Sequence, residues 1–177
     1  MRTLTVRKGG TNFSLGWHRL NISDAKYGTY NDMKFLDIWF DGYPENFTMR
    51  VYEKRGKNGE EFAIGQIFRF ANAGITEALE GPDNNVVVKI DDNASNLKGS
   101  HLNVYFHKDG DYVRALKQVA PTVFHNTAEE FTEDDVEYWK GRAEKYYLDY
   151  VKDSAHHTHS PNGTTSKTET VEETIPF

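Results

Sequence analysis

The first 126 residues predict a mainly β fold with one internal helix, and three observations carry that expectation. Apolar and polar residues alternate over three early segments, the apolar spacing then lengthens to a helical period, and two further alternating segments flank Asp109-Gly110, a hairpin turn signal. In the first segment, 17–22, Leu20 and Ile22 share one face, while Trp17, Arg19 and Asn21 share the other. A polar, aromatic turn (Tyr27-Gly28-Thr29-Tyr30-Asn31-Asp32) leads to the second, 34–41, where Leu36, Ile38 and Phe40 oppose Phe35, Asp37 and Trp39. The third, 47–54, sets Phe47, Met49 and Val51 against Thr48, Arg50, Tyr52 and Lys54.

After Lys54-Arg55-Gly56-Lys57-Asn58-Gly59, the residues Phe62, Ile64, Ile67, Phe68 and Ala71 suit a helix ending near Gly74. Residues 86–90 form a short strand within the following loop, and 101–108 and 112–119 form the closing hairpin. Three strands, a helix and a two-strand hairpin is the order of an OB-fold, a five-stranded barrel with a helix between strands 3 and 4. Beyond it, Thr132 with Asp135 reads as a helix N-cap. Val136, Trp139, Ala143, Tyr146 or Tyr147, and Tyr150 then recur at helical spacing, giving an amphipathic helix within 127–152. This helix is expected to pack back on the barrel; pairing with another subunit, as a homo-oligomer, is the alternative. Residues 153–170, rich in Ser, Thr, His, Asn, Gly and Pro, hold too little apolar surface to fold and read as a disordered linker.

The chain has 177 residues, no cysteine and a net charge of −6. Disulfides and thiolate metal sites are excluded. No apolar run approaches 18 residues and no signal-peptide stretch opens the chain, so a cytoplasmic protein with no membrane partner is expected. The charge is unevenly spread: +1 over residues 1–126, −4 over 127–152 and −3 over 153–177. The β body is therefore near neutral, and the overall acidity says nothing against a polyanionic ligand. No Gly-rich phosphate loop and no His-Glu-x-x-His pattern occurs, and no carboxylate pair stands in a catalytic context. His156, His157 and His159 read as composition of the linker. Neither an enzyme nor a cofactor is expected.

The last seven residues, Val171-Glu172-Glu173-Thr174-Ile175-Pro176-Phe177, are acidic, then apolar, and stop on an aromatic residue. This tip resembles that of bacterial single-stranded DNA-binding proteins (SSB), which end in an acidic run followed by Ile-Pro-Phe. The body is similar to divergent OB proteins of bacteriophages, including the Gly16-Trp17 pair that opens the first strand. The resemblance implies a protein that coats single-stranded DNA in phage replication or recombination. It implies too that the tip docks bacterial replication and repair proteins, with Phe177 in an apolar pocket, its carboxylate against a basic side chain, and Ile175 and Pro176 beside it. Glu172 and Glu173 add long-range attraction to a basic rim.

A protein that binds single strands without sequence preference needs cations along a groove and aromatic faces for stacking. In OB-folds that groove lies over strands 2 and 3. Placing Leu36, Ile38 and Phe40 in the core turns Phe35 and Trp39 outward, with Asp37 between them repelling phosphate. An alternative for Trp39 is that the C-terminal helix or an N-terminal segment covers it. The same parity turns out Arg50, Tyr52 and Lys54, which with Arg55 and Lys57 of the loop form the densest basic cluster. Trp17, Arg19, Tyr27 and Tyr30 are secondary candidates, as are Tyr105 and His107, outward with Asn103 on the fourth strand. Strand five has no clear parity, which leaves Arg114 and Lys117 only weakly assigned. Two other readings stay open: an adaptor or decoy that occupies SSB-tail pockets without binding DNA, and an enzyme of nucleic-acid metabolism with an SSB-like tail.

Overall fold

The computed structural model describes residues 1–4 and 11–153. The expected linker beyond Asp153, with His156, His157 and His159, and the tip with Glu172, Glu173, Ile175, Pro176 and Phe177 lie outside the described residues.

Strand β1 (Gly16–Tyr30) has 15 residues and organises the sheet. Its first part pairs antiparallel with β6 (His101–Asp109), from Gly16 opposite Phe106 to Asn21 opposite His101. Its second part pairs with β2 (Met33–Phe40), from Ile22 opposite Phe40 to Tyr30 opposite Met33. The register shifts between Ile22 and Asp24, so one extra residue lets the strand bend and exchange faces. Core residues before the shift are Leu20 and Ile22, and after it Ala25 and the half-buried Tyr27. The segment expected as a turn is therefore strand as far as Tyr30. The reversal is the two-residue loop Asn31-Asp32, both at positive φ (49° and 63°), as a tight hairpin requires.

Adding β3 (Met49–Tyr52) beside β2 and β7 (Tyr112–Ala115) beside β6 gives the order β3-β2-β1-β6-β7. The expected inward faces hold: Leu36, Ile38, Phe40, Met49, Val51, Leu102, Val104 and Phe106 are all buried. The two edge strands do not pair with each other, so the expected closed barrel is not formed among the described residues. Strand β7 stops four residues short of the expected span, and the chain runs on to a single bridge between Ala120 and Asn103.

Helix α1 (Ala63–Phe70) buries Ile64, Ile67, Phe68 and Phe70. Its first-turn donors are met by Glu61, whose carboxylate accepts from the N–H groups of Ala63, Ile64 and Gly65 at 2.8–2.9 Å and of Lys54 at 3.1 Å. That carboxylate ties the helix start to the end of β3 and favours the positive pole of the helix. After α1 come β4 (Ile75–Glu80) and β5 (Val86–Ile90), a separate two-stranded ribbon of which the sequence predicted only the second strand. A further small pair, β8 (Phe124–His125) and β9 (Glu130–Phe131), precedes α2 (Glu133–Tyr146).

Helix α2 begins with the predicted cap as a reciprocal box: Thr132 N–H donates to Asp135 at 2.8 Å and Asp135 N–H donates to the Thr132 hydroxyl at 3.3 Å. The bond from the Thr132 N–H, followed by one from its hydroxyl at 3.0 Å, holds the Asp135 carboxyl below its ordinary range. Their contribution is complete above that range and fades as pH falls through the depressed value. The helix packs back on the body, with Val136 and Ala143 buried and the Trp139 ring 4.9 Å from Phe70. Arg69 clamps this junction through paired bonds to Glu129 at 2.8 and 2.9 Å. The last turn, Tyr147–Val151, is π-helical. No helix among the described residues is long and apolar enough to cross a membrane.

Because Phe70 joins α1 to both Phe131 and Trp139, Phe70→Ala is expected to cost about 3–5 kcal/mol. Thr132→Ala, which loses only the cap, is expected to cost about 1 kcal/mol. Denaturant unfolding of both variants checks this; a Phe70→Ala loss no larger than the cap's would show that α2 is not anchored through this ring.

Candidate nucleic-acid interface

The register aligns three rows on the face of β1-β2-β3 opposite the core: Gly28, Phe35 and Tyr52; Lys26, Asp37 and Arg50; and Asp24 with Trp39. The parity read from the sequence is right, but the exposure is not. Phe35 is only 8% exposed. Its ring lies over Gly28, where an added Cβ would meet it at 2.4 Å. Tyr52 closes one side edge-on at 5.7 Å, and the Arg50 guanidinium caps the ring at 3.7 Å. The missing side chain at Gly28 makes the seat, so Phe35 offers no stacking face.

Asp37 is buried and accepts a two-pronged bond from Arg50, Nε to Oδ1 at 2.7 Å and Nη2 to Oδ2 at 2.8 Å. The bond to Asp37, followed by one with Tyr52, pushes Arg50 above its ordinary pKa. Asp37 thus neutralises Arg50 instead of standing free to repel phosphate, and Arg50 is a weaker phosphate contact than its position suggested. Trp39 is half-buried, its indole N–H donating to the Glu45 carbonyl at 3.0 Å.

The other half of the sheet seats α2. The Trp17 indole donates to Glu144 at 2.7 Å and meets Tyr105 edge-on at 5.3 Å, with the Lys140 ammonium 5.7 Å above it. Tyr105 and His107 rest against Tyr147, at 5.4 and 5.1 Å. Trp17, Tyr105 and His107 are therefore docking residues for the C-terminal helix and its π turn, and are spent there. Asn103, also expected outward, is buried and donates to the Pro121 carbonyl at 2.9 Å. Arg19 on the same face is exposed.

Tyr27 lies in a strand, not a loop, and on the core face, where its hydroxyl donates to the Asp92 carbonyl at 2.7 Å. Burial, and then Asp92, push its phenol well above the usual range, so it stays neutral. Tyr30, at the hairpin end, is 60% exposed. Arg55 is exposed but engaged, donating to the Gly59 carbonyl at 2.9 Å and paired with Glu53. Lys54 and Lys57 are exposed.

The richest convergence lies off the edge of β3, where a closed barrel would have had its seam. A cleft of about 670 Å³ opens there between β3, residues 117–119 and α2. Val51, Ile67, Phe70 and Trp139 contribute apolar walls, and Tyr52 and Lys54 stand at one side. Lys117, Arg142 and Lys145 face it from the others. The Lys117 ammonium lies 5.6 Å from the Tyr52 ring centre. Loss of water, then the neighbouring charges of Lys54, Arg50 and Arg114, hold Lys117 below its ordinary pKa. The sequence left Lys117 weakly assigned because strand five shows no parity. It passed over Arg142 and Lys145 because the helix reads as acidic, although their separation of three already put them on one helical face.

Lys117 is depressed, so its charge opposes folding below the depressed pKa. Wild-type stability then rises with pH from that value up to the unfolded lysine pKa. Lys117→Gln is accordingly expected to be the more stable form at neutral pH, with the difference shrinking across that alkaline window. Thermal unfolding at pH 7 and pH 10 checks this, and a destabilised variant at pH 7 would mean the lysine contributes packing instead.

Comparison with protein-family models, curated proteins and solved structures found no match for this chain.

Proposed function

We propose that this chain is a single-stranded DNA-binding protein of the SSB type. It acts by binding alone, coating exposed strands in phage DNA replication or recombination. The observation that carries the reading is the meeting of Tyr52, Lys54 and Lys117 at the β3 edge, a half-buried ring with cations around it beside an open cleft. Such a combination engages a base by its face and the backbone by its charge, without reading sequence. We read the sheet as an OB-fold left open at its seam. A first strand bent and shared between two halves, a helix after the third strand and a closing hairpin support that reading.

On this account the contact surface runs over Tyr52, Lys54 and the Lys57 loop, with Arg19 and Tyr30 at its margins. Phe35 and Arg50 stiffen the sheet beneath. The acidic tip, through Ile175, Pro176 and Phe177 with Glu172 and Glu173 leading, recruits bacterial replication and repair proteins. The linker sets the tip's effective concentration. The adaptor reading draws support from one observation: the covered rings of Phe35 and Trp39 leave fewer stacking faces than a long binding groove would offer.

A fluorescence titration of labelled oligo-dT, with duplex DNA as control, separates the two. The full chain and a variant ending at Thr170 are both expected to bind the single strand alone. The logarithm of affinity should fall with the logarithm of salt by about 0.7 for each phosphate neutralised. Tyr52→Ala with Lys54→Ala is expected to weaken binding at least tenfold, since one stacked base is worth roughly 1–3 kcal/mol. No binding by either form at low salt would overturn this function in favour of an adaptor.

A further inference from the structure

We infer that the cleft between the β3 edge and α2 is a second subsite for the same strand, holding a base against Tyr138 or Tyr150 and a phosphate between Lys117 and Arg142. The inference rests on the single-strand reading above. It makes the C-terminal helix, whose segment 127–152 carries a net charge of −4, part of the nucleic-acid site.

Size, charge and continuity argue for it. A cleft of about 670 Å³ lies within the range of roughly 300–1,000 Å³ that encloses small ligands, which is ample for a nucleobase. Its lining residues include four cations, Lys54, Lys117, Arg142 and Lys145, and one carboxylate, Asp149. Lys145 takes that carboxylate at 2.6 Å. Lys117 and Arg142 have no carboxylate partner among the described residues, and a phosphate between them would match both charges. Of the acidic residues of α2, Glu133, Asp134 and Asp135 stand in its first turn, Glu144 accepts from Trp17, and neither these nor Glu137 line the cleft, where the helix presents Arg142 and Lys145.

The rings favour a nucleic acid over an acidic peptide. Tyr138 and Tyr150 are 56% and 47% exposed. Arg142 stands 5.8 Å from the Tyr138 ring centre and 5.5 Å from that of Trp139, and Tyr150 lies 5.2 Å from Tyr146. A cation thus flanks an aromatic surface here as Lys117 flanks Tyr52, repeating the base-and-phosphate pairing of the first site. Tyr52 belongs to both places: it stands on the outer face of β3 and lines the cleft. A strand leaving that face reaches α2 over the β3 edge.

The test uses the full chain and oligo-dT carrying 5-iododeoxyuridine. Light-induced crosslinks mapped by mass spectrometry are expected at Tyr138, Tyr146 or Tyr150. The double variant Lys117→Gln with Arg142→Gln is expected to bind oligo-dT about 10–100-fold more weakly, with the salt slope reduced by roughly 0.7 per lost contact. Circular dichroism verifies its fold, and if it is unfolded, Tyr150→Ala and the wild-type crosslink map decide. Wild-type DNA binding with no crosslink to α2 and no loss in the single variants Arg142→Gln and Tyr150→Ala, which spare Tyr52, Lys54 and Lys117, overturns the subsite while leaving the proposed function intact. Failure of the wild type to bind oligo-dT at all overturns both. A labelled Val171–Phe177 peptide that binds the wild type, is lost in the double variant and is not displaced by oligo-dT would assign the cleft to peptide and overturn the inference.

Discussion

The shared strand β1 is the constraint on which the rest of the molecule depends. Its two parts hydrogen-bond to different partners, and the extra residue after Ile22 lets one continuous backbone serve both. The bend wraps the sheet around Leu36, Ile38, Val104 and Phe106, which are fully buried. It also gives the two outer faces different fates. The β1-β6 half meets α2 through Trp17, Tyr105 and His107, while β3 faces the helix across the cleft. Burying that row of aromatics against α2 is worth more than leaving it in water, because large rings carry much of the apolar area a small domain can hide.

The distribution of charge follows from the same geometry. Arg50 and Asp37 sit directly opposite each other on adjacent strands and satisfy one another in a two-pronged bond. Charged groups so arranged give a sheet rigidity and register but leave little field for a ligand. Lys117 is the contrary case. It is crowded by Lys54, Arg50 and Arg114 and depressed in pKa, a cost to the free protein that an anion would relieve. Depressed or crowded cations beside a cleft mark sites more often than exposed, solvated lysines do.

Much of the fold was legible in the sequence because local periodicity carried it. Leu20 and Ile22, then Leu36, Ile38 and Phe40, then Leu102, Val104 and Phe106 recur at every second position and are all buried, and the Thr132–Asp135 box is written in four residues. What escaped the sequence depends on partners distant along the chain. The extra residue at the β1 shift breaks alternation, so residues 27–30 read as a turn although they are strand. Strand β4 has little apolar contrast and joins only a two-stranded ribbon. The burial of Phe35 requires Gly28 across the pair, and the neutrality of Arg50 requires Asp37 at a separation of 13 residues. The cleft exists only once α2 has docked, so no local pattern announces it.

Hydrogen exchange measured with and without saturating oligo-dT tests most directly where, and whether, this molecule holds a single strand. Slower exchange is expected in the turn after Tyr52, in residues 117–119 and along the cleft-facing half of α2, with the β8–β9 pair unchanged. Unaltered exchange throughout, or protection confined to the β4–β5 ribbon, would contradict that expectation.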